Sequence, residues 1–198
     1  MEPEPEYPLR RYGMTEDEFY AYADEDCPWQ FLGGELVREP VSERHEDIFA
    51  FLITLLRVYL SERGGGVVRG SRYAMRLDPL WSPEPDLLVV LSERRQFMGP
   101  QRLEGPADLV IEIASPGRLD LRKKLPRYHQ ARLPEIWIVN PYARTIRVDT
   151  LAADGYRTRN HAEGVLASAV VPGFWIDVAW LWQEPLPAPL SCLRRILA

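Results

Sequence analysis

One segment of the chain repeats apolar residues at helical spacing. Between Ser42 and Gly64 these residues stand three or four positions apart, which predicts an amphipathic helix packed on a core. Ser42 is a favourable N-cap residue, and the run Gly64-Gly65-Gly66 is a favourable end. The apolar positions of this helix are Ile48, Phe49, Leu52, Leu55, Leu56 and Tyr59.

Shorter helices are expected on either side of the long one. Thr15 and Glu18 have the spacing of a capping box, which predicts a helix that runs to about Ala23. A further helix is expected from about residue 120 to residue 132. Pro126 lies inside it and removes one backbone hydrogen bond, so a kink is expected there.

The strand pattern is strongest in the middle of the chain. Residues 86–91 and 108–114 are almost entirely apolar, so both faces of these strands are expected to be buried at the centre of a sheet. Further strands are predicted at residues 67–68, 73–77 and 136–139. Hairpins are predicted at residues 31–37, turning at Gly33-Gly34, and at residues 145–159, turning at Asp154-Gly155.

This order of elements predicts an α/β (α+β) fold with helices packed on a mixed β-sheet. A chain of 198 residues suits one domain with a continuous core. The domain is expected to span residues 15–184. Residues 1–14 are interpreted as an extended N-terminal lead, and residues 185–198 as a proline-rich tail or a docking arm.

Composition and charge restrict the class of protein. No apolar run approaches the roughly 20 residues of a membrane span, and the acidic, proline-rich start is unlike a signal peptide, so a soluble cytoplasmic protein is expected. The net charge of −5 argues against a surface that coats nucleic acid indiscriminately. Basic residues nevertheless concentrate in residues 63–76 and 118–127. Cys27 and Cys192 match no zinc spacing, which leaves reduced thiols or a disulfide open.

Glu112 is a charged residue inside an apolar strand. An ionised carboxylate buried there without partners would cost several kcal/mol, so an arginine, a shifted pKa or a metal ion must compensate it. A salt-bridged structural role explains this residue, taken alone, equally well.

Asp86 stands at the head of the preceding apolar strand, after two prolines that fix an extended approach. If the two strands are neighbours, Asp86 and Glu112 can present their carboxylates to a common point. Such a pair favours a hard cation, Mg²⁺ or Mn²⁺, which can activate water and stabilise charge on a phosphate. The alternative is that Asp86 only caps a turn.

An ordered set of short motifs resembles one family. The motifs are Pro85-Asp86, Glu112 with Ile113-Ala114-Ser115-Pro116, Asp120-x-x-x-Lys124-x-x-x-Tyr128, and Glu135-Ile136-Trp137-Ile138-Val139-Asn140-Pro141. Gly34-Glu35-Leu36-Val37, His45 and Pro172-Gly173-Phe174 fit the same set. Over roughly residues 15–182 the chain resembles the Uma-type restriction endonucleases of the PD-(D/E)XK superfamily.

The resemblance implies a Mg²⁺- or Mn²⁺-dependent DNA endonuclease with a restriction-endonuclease-like fold. It implies that Asp86 and Glu112 are catalytic and metal-binding. Ala114 occupies the usual position of the superfamily's lysine, so the resemblance assigns that role to Lys124 on the next helix. His45 is the remaining candidate catalytic residue, with a hydrogen-bonded structural histidine as the alternative.

Two departures from the family pattern support a different function. Gln30 stands where the family commonly has glutamate, and Gly33 where aspartate is usual. The alternative is therefore a catalytically weak or inactive nucleic-acid-binding or partner-binding module on the same fold. A two-carboxylate glycosidase ranks last, because most of the tryptophans lie elsewhere in the chain. For Tyr128, packing is the preferred interpretation.

Two geometric predictions concern the candidate site. The strands of Asp86 and Glu112 should be adjacent, with both carboxylates on one side of the sheet and the long helix nearby. Neighbouring residues on a helix point about 100° apart, so only one of Lys123 and Lys124 can face the sheet. Lys124 is expected there, and Lys123 is expected to point toward solvent.

Assembly follows from the implied reaction. Cutting both strands of a duplex needs two active sites, which a one-site chain provides most simply as a C2 homodimer. The apolar segment around Leu193, Ile196 and Leu197 is the candidate contact.

Overall fold

The computed structural model describes residues 9–22, 29–38, 42–70, 72–115 and 120–198. In this part of the chain the strands are β1 (Leu9–Tyr12), β2 (Gln30–Leu32), β3 (Glu35–Arg38), β4 (Gly66–Gly70), β5 (Ala74–Arg76), β6 (Trp81–Ser82), β7 (Leu87–Leu91), β8 (Arg102–Glu104), β9 (Leu109–Ile113), β10 (Glu135–Asn140), β11 (Thr145–Ala152), β12 (Gly155–His161), β13 (Val165–Ala167) and β14 (Trp175–Asp177). The α-helices are α1 (Glu16–Tyr22), α2 (Glu43–Arg63), α3 (Asp120–Gln130) and α4 (Pro189–Leu197). Short 3₁₀ segments occupy Ser92–Phe97 and Val178–Trp182.

A six-stranded mixed sheet forms the centre of the fold. Its strand order is β12-β11-β10-β9-β7-β4. In this sheet β9 and β10 are parallel, and the other neighbouring pairs are antiparallel. The parallel pair is connected through α3, the kind of crossover that parallel strands require. The predicted mixed sheet flanked by helices is therefore confirmed.

The two apolar strands, β7 and β9, are neighbours within this sheet. Their residues alternate between two cores: Leu109 and Ile111 pack with the side chains of α2, whereas Val110 packs with those of α3. Every residue of β9 is consequently buried. A strand covered on both faces needs an apolar side chain at nearly every position, which explains its continuous apolar run.

Helix α2 covers one face of the sheet and has both predicted ends. The Ser42 hydroxyl accepts a hydrogen bond from the backbone N–H of His45 at 3.2 Å, which satisfies a free donor of the first turn. Gly64 ends the helix in the left-handed conformation with φ 67°.

The C-terminal helix α4 packs against α2 and belongs to the same core. Cys192, Leu193 and Ile196 are buried there, at 3–5% exposure. This chain's own core covers Leu193 and Ile196, and the dimer contact around Leu193, Ile196 and Leu197 stays a prediction. Cys27 lies outside the described residues.

A four-stranded sheet, in the order β1-β3-β2-β6, lies beside the main one. The hairpin β2–β3 turns at Gly33 and Gly34, whose φ values of 65° and 78° are those that favour glycine. Strand β6 pairs with β2 and leads directly into the segment before β7, so this sheet supports the approach to Asp86. Residues 9–12 of the expected lead form β1 and pair with β3, while residues 1–8 lie outside the described part.

The predicted start of α1 is confirmed in detail. The backbone N–H of Thr15 donates to the Glu18 carboxylate at 2.8 Å, and the N–H of Glu18 donates to the Thr15 hydroxyl at 3.2 Å. Helix α3 continues through Pro126 to Gln130. Among the described residues, no helix combines the length and apolar character needed to cross a membrane.

Candidate active site

The segment Pro83–Asp86 links β6 to β7 and is held by two other elements. The backbone N–H of Glu84 donates to Oε1 of Gln30 in β2 at 3.3 Å. The carbonyl of Glu84 accepts a hydrogen bond from Nζ of Lys124 in α3 at 3.0 Å. The prolines on both sides of Glu84 restrict the backbone further, so the segment delivers Asp86 in a fixed position.

Asp86 lies beside β9 at the end of the central strands. The antiparallel register of β7 and β9 pairs Leu87 with Ile111, and its extension by one residue brings Asp86 opposite Glu112. Oδ2 of Asp86 accepts a hydrogen bond from the backbone N–H of Ile113 at 2.6 Å, and its Oδ1 is 3.1 Å from Nε2 of His45. The predicted adjacency of the two strands is confirmed, and the long helix does reach this site.

His45 approaches Asp86 from the first turn of α2, and it is buried. Its Nδ1 lies 3.2 Å from a carboxylate oxygen of Glu46. Both ring nitrogens therefore lie within 3.2 Å of a carboxylate oxygen. This position orients the Asp86 carboxylate from the side of α2.

Glu112 is fully buried in β9, and its partners come from α3. Its Oε1 accepts hydrogen bonds from Nζ of Lys124 at 3.0 Å and from the hydroxyl of Tyr128 at 2.7 Å. The side chains of both Glu112 and Lys124 are 0% exposed. Among the described residues, Lys124 is thus a cation that compensates the buried carboxylate.

The two adjacent lysines of α3 point in different directions, as their spacing predicts. Lys124 faces the sheet, which confirms its expected orientation. Lys123 instead reaches the hairpin, where its Nζ lies 2.9 Å from a carboxylate oxygen of Glu35. The Lys123 side chain is 36% exposed, and its ion pair links α3 to β3.

Tyr128 belongs to the site as well as to the core. It lies one helical turn after Lys124 and therefore on the same face of α3. Its ring packs in the core formed with β7 and β9, while its hydroxyl donates to Glu112. Packing alone was an incomplete interpretation. The spacing of four residues from Lys124 was the signal in the sequence.

Glu84 is a second residue that sequence reasoning missed. Burial raises the pKa of its carboxyl to about 7, although the nearby charges of Lys124 and Arg72 act in the opposite direction. The signal was present in the sequence: Glu84 stands between two prolines, two positions before Asp86.

The helices hold the two carboxylates from different sides. Asp86 contacts His45 of α2, and Glu112 contacts Lys124 of α3, which packs on the opposite face of the sheet. Both carboxylates lie at the same end of the paired strands. The position of both carboxylates on one side of the sheet stays a prediction.

The donor set suits a hard divalent cation. Asp86 and Glu112 provide carboxylate oxygens, the ligand type that Mg²⁺ and Mn²⁺ prefer. Within the described ranges no group of three or more His, Cys, Asp or Glu side chains is arranged to hold a metal ion. Mg²⁺ commonly binds through only one or two carboxylates and keeps several waters, so two carboxylates suffice to fit it.

Comparison with known proteins gives two findings. The model of the Uma2 family, described as "Putative restriction endonuclease", matches residues 16–179. The fold is similar to the crystal structure of "a putative nuclease belonging to DUF820" from Anabaena variabilis ATCC 29413, with a TM-score of 0.72, 14% sequence identity and coverage of 86% of this chain and 98% of that chain. At this identity the likeness shows a shared fold. No curated protein matches the sequence.

Proposed function

This chain belongs to the Uma2 family, and on that premise we propose that it is a metal-dependent endonuclease that hydrolyses phosphodiester bonds in DNA. The observation that carries the proposal is the position of Asp86 opposite Glu112 at one end of the central strands, with a buried lysine on Glu112. Two carboxylates and one lysine are the groups through which a metal-dependent nuclease acts on a phosphate.

Asp86 and Glu112 would hold Mg²⁺ or Mn²⁺. When bound, such an ion supplies a Lewis acid that makes bound water more acidic and stabilises negative charge on the phosphate. The contacts with His45 and Ile113 orient Asp86, and the hydroxyl of Tyr128 orients Glu112. These partners limit the motion of both carboxylates, which preorganises the site.

Lys124 has two tasks in this proposal. Its ammonium group neutralises the buried Glu112 carboxylate, and it would donate to a phosphate oxygen that becomes more negative as the bond breaks. The additional bond to the carbonyl of Glu84 fixes the direction of Nζ. A lysine supplied from a helix serves the same purpose as one supplied from the strand, because only the position of the charge matters.

A cavity of about 320 Å³ between α3 and the neighbouring strands offers a place for the nucleic acid. Its floor includes Ile138, which pairs with Glu112 in the sheet register. Arg122 and Arg147 stand at its walls. Guanidinium groups beside an apolar surface suit the phosphates and bases of a DNA strand.

Single-turnover cleavage of DNA with Mg²⁺ or Mn²⁺ tests the proposal. Asp86→Asn and Glu112→Gln are each expected to abolish cleavage. Lys124→Ala should lower the rate at least about a hundredfold, the low end for losing one electrostatic stabiliser. Lys123→Ala is the matched control, because it removes the same charge one position away and should weaken DNA binding modestly and in a salt-dependent way.

Two outcomes would contradict the assignment. Cleavage that survives both carboxylate substitutions would mean that these residues are not the ligands. If the two lysine substitutions lower the cleavage rate by equal, small amounts, Lys124 does not take part in catalysis.

The second candidate function is a binding module without catalysis. The observation that favours it is Gln30, a neutral amide at a position where the family commonly has an acid, whose Oε1 accepts a hydrogen bond from the backbone of Glu84. This alternative would be established if the wild-type protein binds DNA but does not cleave it in the presence of any divalent ion.

We also propose a C2 homodimer, because cleavage of both strands needs two sites. Leu193 and Ile196 lie in this chain's own core, whereas Leu190 on the same helix is 61% exposed. Light scattering measures the molar mass of the full chain in solution, and the mass of a monomer would contradict the proposed dimer.

A further inference from the structure

A cavity of about 340 Å³ lies at the C-terminal end of α2. Its walls come from the last turns of α2, from β4 and from the 3₁₀ segment after β7. The polar side chains that line it are Arg57, Ser61, Arg69, Ser92 and Arg95.

This cavity is separate from the candidate active site. His45 and Arg57 stand twelve residues apart on α2, which corresponds to about 18 Å along the helix. On the sheet side, Gly66 in the cavity wall pairs with Leu91, at the opposite end of β7 from Asp86. The two places therefore lie at opposite ends of the same helix and strand.

The cavity concentrates positive charge. Among the described residues, no carboxylate forms an ion pair within 4.0 Å with Arg57, Arg69 or Arg95. Other arginines in this part of the chain are paired, such as Arg76 with Glu16 and Arg94 with Asp108. In a chain of net charge −5, three guanidinium groups around one cavity, without an ion pair among the described residues, repel one another and attract an anion.

The frame of the cavity is fixed by backbone contacts. The hydroxyl of Ser92 donates to the carbonyl of Gly64 at 3.0 Å, and Nη1 of Arg69 donates to the carbonyl of Val68 at 3.1 Å. A Cβ added at Gly66 would lie 2.4 Å from the carbonyl oxygen of Val90, so the strands approach closely at this point. A fixed frame lowers the entropy lost when the arginines order around a ligand.

We infer that this cavity binds a phosphate group. The planar guanidinium matches phosphate with two parallel hydrogen bonds, and the Ser61 hydroxyl supplies a further donor. The volume falls within the range of small-molecule sites and exceeds what inorganic phosphate alone fills, so the ligand is of about mononucleotide size. The phosphate belongs either to a free nucleotide or to a nucleic-acid chain, and both present the same oxyanion.

Binding in metal-free buffer tests this site without reference to nuclease activity. Isothermal titration calorimetry with inorganic phosphate and with deoxyadenosine monophosphate probes the free ligand. Fluorescence anisotropy with a 20-base-pair duplex, at several salt concentrations, probes the nucleic-acid chain. The test variant is Arg57→Gln with Arg95→Gln, and the matched control is Arg157→Gln with Arg159→Gln on β12, at the opposite edge of the sheet. All four side chains lie near or at the surface, and thermal unfolding verifies that each variant is folded.

If the ligand is free, the mononucleotide binds the wild type and the test variant weakens it at least about tenfold, while the control pair changes it less than about twofold. If the phosphate belongs to DNA, the slope of log K against log salt falls in the test variant by about 1.8, or about 0.9 for each lost contact. If neither quantity differs between the test variant and the control pair, the inference is wrong.

Discussion

Replacing Lys124 by methionine removes the cation from a buried ion pair while keeping the length of the side chain. Lys124 and Glu112 are 3.0 Å apart, a distance at which two unit charges attract by about 5.5 kcal/mol at an effective dielectric constant near 20. Both side chains have no exposed surface, so the substitution removes a cation from beside a fully buried carboxylate. Breaking a buried pair from one side typically costs about 3–5 kcal/mol.

We expect Lys124→Met to lower the free energy of unfolding by about 3 kcal/mol at neutral pH, the low end of that range. The hydroxyl of Tyr128 still donates to Glu112, so the carboxylate keeps part of its stabilisation. For a chain of this size, about 3 kcal/mol corresponds to a decrease in Tm of about 6–12 °C.

Urea denaturation in EDTA measures the effect, with Lys123→Met as the control. The Lys123 ion pair is about one-third exposed, so its loss should cost about 0–1 kcal/mol. The double variant Glu112→Gln with Lys124→Met removes both charges and should recover much of the stability, which a double-mutant cycle quantifies. If Lys124→Met and Lys123→Met change stability equally, within about 0.5 kcal/mol, the pair does not stabilise the fold as reasoned.

Three further predictions follow from the same contacts. The pKa of the Glu84 carboxyl is about 7 in the folded state, against an ordinary 4.5. Between these two pH values the folded state holds a proton that the unfolded state releases. The contribution of this group to the free energy of unfolding is therefore present below about pH 4.5 and is lost as the pH rises through about 7. Glu84→Gln should flatten this part of the pH profile of urea denaturation in EDTA, and an unchanged slope would contradict the assignment. Tyr128→Phe should cost about 1.5–3 kcal/mol, since it removes a hydrogen bond to a charged buried group, and a loss under about 0.5 kcal/mol would refute this. A chain that ends at Glu184 loses the buried Leu193 and Ile196, worth about 1.5–3 kcal/mol each, so its Tm should fall clearly; an equal Tm would show that α4 is dispensable.

Local signals in the sequence were sufficient for most of the secondary structure. Ser42 and Gly64 set the ends of α2, and the pair Gly33-Gly34 set the hairpin, because caps and turns depend on a few adjacent residues. The continuous apolar runs of β7 and β9 predicted a place inside the sheet, since only covered strands carry them.

Part of the candidate site was also readable. Helical periodicity predicted that only one of Lys123 and Lys124 faces the sheet, and the positions of Asp86 and Glu112 on two apolar strands suggested one site. The family resemblance, rather than the pattern of residues, selected these positions among many acids and lysines.

The tertiary structure alone decided which groups stabilise one another. Glu112 receives its hydrogen bonds from residues 12 and 16 positions away, and Lys124 contacts the carbonyl of Glu84 across 40 positions. Helix α4 is only nine residues long, and nothing in its sequence says whether its apolar face meets α2 or another molecule. Caps and strands are set by neighbours along the chain, whereas the pairing of a buried charge and the docking of a short helix depend on which surfaces the whole fold brings together.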